Sequence, residues 1–594
     1  MRTFLKIVFG SCLGVFLAMI GLILISLVTA STIGSMFMKK DKGSLESNSV
    51  LRLDFNQLMP DRTNNIKSNF MSLNNSTTVG LVDALRLIRN AKTDPNISGI
   101  LINPGSSTML GTSGLKDMNE AIKEFKTSNK FVYSYVEDLG KGGYYISTVA
   151  DKIFLNPIGS VEWRGNGMVL TYFKNLLDKL NIKMNIFYVG KFKSATEPLR
   201  SDKMSPENRK QLKEFLSDFN NSYVKEVAIN RNLDPQLLND LANNLSIHTA
   251  EDALKYKFVD KLAYQDEVFD DIKAKLKIAV DKKINFISLN EYYDATTLKK
   301  DYSARDKVVV IYAEGEINDG NSSEGEVGGQ KYVQYLRKAR YDKDVKAVVL
   351  RVNSPGGSAY ASEQMWHEID MLKKAGKKVV VSMGDYAASG GYYISCNADK
   401  IFASPNTITG SIGVFGLIPD ISGFMKDKLY VTTDTVQTGP NAIPINPFIP
   451  MSPTQREFIQ KSVERTYHLF LSRVAEGRHL PATVVDSLAQ GRIYSGTAAL
   501  KLKLVDQIGN MEDALKSAAS MASLKEYRTV EYPEPKEGLV RLIEQITGEN
   551  KDEDLLNSAL RSELSKIAPE YLDARNIMNN NSVQARIPFI IKLH

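Results

Sequence analysis

Two cysteines in 594 residues leave little scope for covalent cross-links or thiolate metal sites. Cys12 sits in an apolar run and Cys396 stands alone in the rest of the chain, so no intrachain disulfide and no Cys/His metal spacing is available. Lipidation of Cys12 is also disfavoured, because the apolar segment follows it instead of preceding it. Histidine is scarce as well. His248, His367, His468, His479 and His594 all lie outside glycine-rich settings, which argues against a Ser-His-Asp triad. A strong charge of one sign is missing too: the net charge is +7 with lysines spread along the chain, which disfavours a nucleic-acid surface. With 43% hydrophobic and 24% charged residues the composition is globular. The length exceeds one ordinary core, and roughly two to four domains are expected.

Long apolar runs are absent except at the start. IVFGSCLGVFLAMIGLILISLVTA, from Ile7 to Ala30, carries no charge. At about 1.5 Å per residue such a helix crosses a hydrocarbon core of about 30 Å. VTA before Ser31 has the look of a cleavage site, but a signal peptide's apolar core is shorter, about 7–15 residues, so a retained anchor is expected. Arg2 and Lys6 favour a cytoplasmic N-terminus, although Lys39, Lys40 and Lys42 on the far side weaken that bias. The bulk of the chain would then lie outside the cytoplasm.

What the chain does contain is one unit written twice. KGGYYIS from Lys141 matches SGGYYIS from Ser389, MSPENR from Met204 matches MSPTQR from Met451, and ALKYKFVD from Ala253 matches ALKLKLVD from Ala499. Three anchors in one order with a nearly constant shift indicate duplication of a whole domain, the period being far too long for a solenoid. Each unit alternates strand and helix, which predicts right-handed crossovers and parallel sheets. In the second unit the strands are KVVVIYAEGEI from Lys307, KAVVLRV from Lys346 and KVVVSM from Lys378. After each glycine-rich segment a long helix opens with Ser-Pro, a start signal. The expected organisation is an anchor and linker at 1–46, a first domain at 47–300, a second at 301–535 and a tail at 536–594. Within the tail, LVRLIEQI reads as amphipathic and VQARIPFIIKL as a last strand.

Two stretches of the second unit carry candidate chemistry. RVNSPGGS, from Arg351, ends an apolar strand in paired glycines, whose N–H groups can point freely into a cleft as an oxyanion site requires. MGDYAASGGYY then places Ser389 directly before Gly390 and Gly391. A serine nucleophile needs a base, and with histidine excluded the remaining choice is a lysine kept neutral by burial. Lys193, in YVGKFKSATEPLRSDK of the first unit, lies between a strand and a helix among small and turn-forming residues. The matching stretch VQTGPNAIPINPFIPMSPTQR of the second unit has no lysine, and the first unit has Lys141 where the second has Ser389. Each half lacks what the other holds. No metal or organic cofactor is indicated.

Together FKSATEP and GDYAASGGYY resemble the signal peptide peptidase A family in its long, duplicated form, whose motifs read YKSAxEP and GDxAASGGYY. Phe192 takes the aromatic position. The likeness extends over nearly the whole chain, anchor included. It implies a membrane-bound Ser-Lys protease of α/β class, a tandem duplication of a crotonase-like domain related to the Clp protease, preceded by one transmembrane helix. On this resemblance Ser389 is the nucleophile, Lys193 the general base and Ser411 the residue that orients the lysine. Gly357 and Gly390 supply the oxyanion hole, and Lys141 is a structural relic. The expected substrates are hydrophobic peptides, chiefly cleaved signal peptides. The expected setting is the bacterial inner membrane with the bulk on the periplasmic side, as a homotetramer. Acyl-CoA chemistry on the same fold is disfavoured, since its usual glutamates have no counterpart beside the glycine turns. A catalytically silent envelope scaffold is the remaining alternative.

Overall fold

Runs of Val and Ile that need burial on both faces form the centres of two parallel sheets. The computed structural model describes residues 45–56, 59–64, 78–105, 110–296, 304–322 and 325–534, together with the backbone of 584–586. The expected anchor at Ile7–Ala30, the boundary near residue 300 and the helix LVRLIEQI fall outside these residues. Among the described residues, no helix is long and apolar enough to cross a membrane.

The first unit contributes strands β1 (Ser49–Asp54), β2 (Ile97–Asn103), β3 (Phe131–Leu139), β4 (Lys152–Val161), β5 (Lys183–Val189), β6 (Lys261–Leu262) and β7 (Phe286–Ser288). All but β5 form one sheet in the order β6-β4-β3-β2-β1-β7, every pair parallel. The second unit holds β8 (Lys307–Glu314), β9 (Ile317–Asn318), β10 (Val327–Gly328), β11 (Val345–Ser354), β12 (Gly356–Ser358) and β13 (Lys378–Ala388). It continues with β14 (Lys400–Ala403), β15 (Ile408–Gly410), β16 (Val414–Asp420), β17 (Ile493–Ser495), β18 (Gln507–Ile508) and β19 (Arg528–Tyr532). Its sheet repeats the first as β18-β14-β13-β11-β8-β19, with β15 and β17 added beyond the end of β13.

The duplication extends to single hydrogen bonds. Asp260 accepts from the Ile153 amide at 2.8 Å, and Asp506 accepts from the Ile401 amide at the same distance. Tyr144 and Tyr392, each second after its glycine pair begins, donate to the carbonyls of Phe258 and Leu504. The two Ser-Pro helices, Pro206–Arg231 and Pro453–Arg478, form as expected. Ser205 and Ser452 cap them, and they end at the left-handed residues Asn232 and His479.

Two devices join the units. Val82, on the helix Leu81–Thr93, enters an apolar cluster with Val308, Val310, Tyr312, Val349 and Phe402 on the far face of the second sheet. At the edge of that contact the buried Arg351 guanidinium donates twice to Asp61, at 3.0 Å each, and once to Ser382 and to the Met383 carbonyl. Asp385 accepts from the Ser113 amide of the first unit at 2.7 Å. The second device is β5. It leaves its own unit and pairs antiparallel with β16 over seven residues, Lys183 opposite Asp420 to Val189 opposite Val414. That crossing delivers the turn after Val189, which contains Lys193, to the second unit.

Candidate active site

Ser389 follows the last residue of β13 and precedes a helical turn, Gly390–Tyr393. Its backbone sits at φ 55 and ψ −113, a left-handed position that an L-residue adopts only under constraint. Pairing on both sides supplies that constraint: the Ser389 amide donates to the Gly410 carbonyl at 2.8 Å, and its carbonyl accepts from the Tyr393 amide at 2.8 Å. The side chain is wholly buried. Strain of this kind costs on the order of 1–3 kcal/mol and sends the hydroxyl out of the strand direction.

The hydroxyl meets Lys193. The Nζ–Oγ separation is 2.9 Å, within one chain. Lys193 Nζ also lies 3.0 Å from Ser411 Oγ and 3.2 Å from the Ser411 carbonyl. Ser411 too has positive φ, at 50°, and its amide is held by the Arg492 carbonyl. With 1% of its surface exposed, Lys193 has its ammonium form strongly disfavoured by burial, which holds its pKa well below the ordinary lysine value. No carboxylate contributes to that shift. A neutral amine has two N–H groups and one lone pair. The Ser411 carbonyl can only accept, so one N–H goes there and the other serves Ser411 Oγ. With its two N–H groups so placed, a neutral amine would turn its lone pair toward the Ser389 hydroxyl, whose other contact is the Gly413 carbonyl at 3.5 Å.

The approach of the lysine depends on a glycine. Gly491, at φ 76, lies so close that a Cβ there would sit 2.6 Å from Lys193 Cβ. On the other side of Ser389, β12 holds Gly357 at φ 153, where an added Cβ would meet the Ile317 carbonyl oxygen at 2.0 Å. The turn Gly390–Tyr393 packs against β12. A Cβ at Gly391 would come within 2.7 Å of the Ser354 carbonyl oxygen, so the serine turn needs its second glycine to pack against the SPGGS turn. The residues singled out in the sequence thus lie around one buried site, with Ser389, Lys193 and Ser411 in direct contact and Gly390 on the turn that packs against the strand of Gly357.

Three residues that the sequence did not single out support the lysine. Gln211 is buried on the helix Pro206–Arg231. Its amide donates to the Phe192 carbonyl at 3.0 Å and to Ser194 Oγ at 3.1 Å, and accepts from the Ile493 amide at 3.3 Å. One side chain thus ties the two neighbours of Lys193 to β17, which pairs with β15 beside Ser411. Glu197, the acid of FKSATEP, accepts from Ser205 Oγ and, at 2.8 Å, from Asn208, fastening the lysine turn to the start of the same helix. Arg351 acts at longer range: from β11 it bonds directly to Ser382 and the Met383 carbonyl of β13, and through Asp61 it ties both strands to the first unit. The Glu197 contacts were hinted at by the motif, whereas Gln211 lies on a helix face with no local signature.

Lys141, the counterpart of Ser389, has a different setting. It opens the helix Lys141–Ser147, and no positive φ occurs there. Its Nζ donates to Asn166 Oδ1 at 2.7 Å, the Arg164 carbonyl at 3.2 Å and Asn220 Oδ1 at 3.4 Å, and lies 4.7 Å from the Tyr223 ring centroid. Burial, with Arg164 nearby, lowers its pKa to about 8.

Comparison with known proteins adds an independent line. The pattern of peptidase family S49 matches residues 124–279 and 371–525, once in each unit. Protease 4 of Salmonella typhi is 38% identical over 79% of this chain and 76% of its own. Protease 4 of Haemophilus influenzae is 36% identical over 76% and 75%, and the chloroplastic serine protease SPPA of Arabidopsis thaliana 28% identical over 76% and 68%. A solved structure of Listeria monocytogenes ClpP1 aligns with 35% of this chain and 94% of its own, at 19% identity and a TM-score of 0.23.

Proposed function

The chain belongs to peptidase family S49 and is a serine peptidase, and from that premise we propose that Ser389 and Lys193 form its catalytic dyad. The observation that carries this reading is the 2.9 Å contact between a buried, uncompensated lysine amine and a serine hydroxyl held in a strained turn. Lys193 takes the hydroxyl proton as Oγ attacks the scissile carbonyl, then returns it to the departing amine. Water attacks the acyl-enzyme by the same exchange. Ser411 fixes the two N–H groups, so the lone pair keeps its aim. The N–H groups of Gly357 and Gly390 receive the oxyanion of the tetrahedral intermediate.

The substrates in this reading are hydrophobic peptides, chiefly signal peptides already released by secretion. A site that keeps a lysine neutral by burial suits apolar segments. Ile7–Ala30 anchors the chain in the bacterial inner membrane with its bulk on the periplasmic side. Each half is a crotonase-like unit, and copies assemble into a homotetramer. Supporting that assembly, the sheet face covered in the second unit by first-unit helices has its counterpart in the first unit at an open cavity. Arg52, Leu101, Tyr135, Glu137, Phe269 and Phe286 line it.

The test uses the full chain in detergent. A fluorophosphonate probe is expected to label Ser389, and a synthetic signal peptide is expected to be cleaved. Absence of both in a correctly assembled protein would instead favour a silent envelope scaffold.

A further inference from the structure

The tyrosine that closes the serine turn is held from behind. Tyr393 ends the turn Gly390–Tyr393, and its amide is the group that holds the Ser389 carbonyl. Its ring rests on Phe470 of the helix Pro453–Arg478, with 4.4 Å between centroids. Its hydroxyl donates to Glu363 Oε2 at 2.6 Å. Glu363 lies on the helix Ala359–Lys374, which starts directly after the strand of Gly357. Arg473 of the Ser-Pro helix donates to both oxygens of that carboxylate, at 2.5 and 3.3 Å, and its guanidinium carbon lies 3.7 Å from the Trp366 ring centroid. Burial, together with the carboxylate beside it, pushes the Tyr393 phenol well above its ordinary pKa, so it stays a donor at neutral pH.

The first unit supplies the control. The shift that relates the two Ser-Pro helices maps Glu363 onto Lys116 and Arg473 onto Glu226. These two also pair, at 3.3 Å, with the charges exchanged. Tyr145, the counterpart of Tyr393, keeps its ring stacked on Tyr223, the counterpart of Phe470, at 5.4 Å. What the exchange removes is an acceptor, because an ammonium has no lone pair to offer a phenol. An ion pair stabilises in either polarity, so stability alone does not account for a carboxylate at the Glu363 position. The acceptor is present where a serine sits at φ 55 and missing where Lys141 is helical. Strain of that kind persists only where its surroundings over-determine it.

We propose that Glu363 is a positioning residue for the reaction: it holds the Tyr393 hydroxyl, and through that tyrosine keeps Ser389 in its strained turn, aligned with Lys193 and with the strand of Gly357. The inference rests on the dyad reading of Ser389 and Lys193. Arg473 orients the carboxylate from the side away from the tyrosine.

The test uses the full chain in detergent with the synthetic signal peptide, and reads kcat, KM and the unfolding temperature of each variant. Tyr393→Phe and Glu363→Met are each expected to lower kcat about tenfold with KM unchanged, and the double variant to fall no further. Glu363→Gln gives up the charge but keeps an acceptor, and should retain about half of the native kcat or more. Glu363→Lys combined with Arg473→Glu installs the polarity of the first unit. That exchange is expected to regain the unfolding temperature lost in Glu363→Lys alone, but not the rate. Native kcat in Tyr393→Phe, or recovery of rate and unfolding temperature together in the exchanged pair, would overturn the proposal. Failure of the parent reading has its own mark: Ser389→Ala would then keep cleaving, whereas an inactive Ser389→Ala beside a fully active Tyr393→Phe defeats the Glu363 assignment alone.

Discussion

The turns at Lys141 and Ser389 occupy the same place in two copies of one sheet, and they differ in backbone before they differ in chemistry. In the first unit Gly140 takes the cap position at φ −72 and Lys141 is already helical. In the second unit Ser389 itself takes the cap position, at φ 55, and the helix begins one residue later. Both turns keep the two glycines, both tyrosines and their packing. What the second turn adds is strain, found where a hydroxyl must reach a neighbour's amine. The first turn relaxed and filled the space with a long side chain solvated by two asparagines and a carbonyl. Duplication thus conserved the sheet and released the site.

The most severe break in this comparison removes the dyad. Ser389→Ala and Lys193→Met are each expected to lower kcat for peptide cleavage by about a thousandfold or more, since a positioned base alone supplies about 10²–10⁴. Because both residues meet within one chain, mixing the two inactive variants is expected to restore nothing. Recovery in that assay would place the site between copies. In the native protein kcat/KM should rise with pH along a limb lying well below 10.5, the ordinary lysine value from which burial depresses Lys193. The stability effect has the matching sign. The unfolded chain binds the Lys193 proton up to about pH 10.5 while the folded one has released it, so native stability climbs with pH across that interval. Lys193→Met should unfold at a higher temperature than the native protein near pH 7, with the advantage shrinking towards pH 10.5.

Next in size is the joint between the units. Arg351→Met leaves Asp61 buried and unpaired and is expected to cost about 3–5 kcal/mol, read from denaturant unfolding. An unchanged midpoint would mean that the apolar cluster around Val82 holds the units without help. Lys141→Met tests the relic. Cleavage should stay within about twofold, while stability falls by about 1–3 kcal/mol because Asn166 and Asn220 lose a buried donor. Loss of cleavage with the fold intact would give Lys141 a role in the reaction. The smallest effect is expected at Gln211→Leu, a tenfold fall in kcat, about 1.4 kcal/mol, with KM unchanged. A shift in the acid limb of the pH profile would accompany it if the amide positions the lysine.

Much of this was legible along the chain. Paired glycines, Ser-Pro helix starts and β-branched runs are local signals, because φ freedom, capping and pleated burial act over a few residues. The repeat was equally plain, since copying leaves matched words at a fixed shift. From these alone the duplicated α/β architecture and the division of serine and lysine between halves followed. Other features had no local sign. Gln211 reaches partners as far as 282 residues away, at Ile493, on a helix face like many others. Asp61 and Arg351 are 290 residues apart in loop and strand, and only packing of one unit on the other makes them partners.

The sequence by itself determined which residues were available for chemistry: a serine in one copy, a lysine in the other, and no histidine in a suitable setting. Tertiary structure decided that they meet, and it did so through β5. Backbone pairing depends on register and edge availability, not on side-chain identity. No pattern in KMNIFYV announces that this strand abandons its own sheet for β16. That exchange carries Lys193 to Ser389 and buries it, and burial is what lowers the proton affinity of a lysine amine.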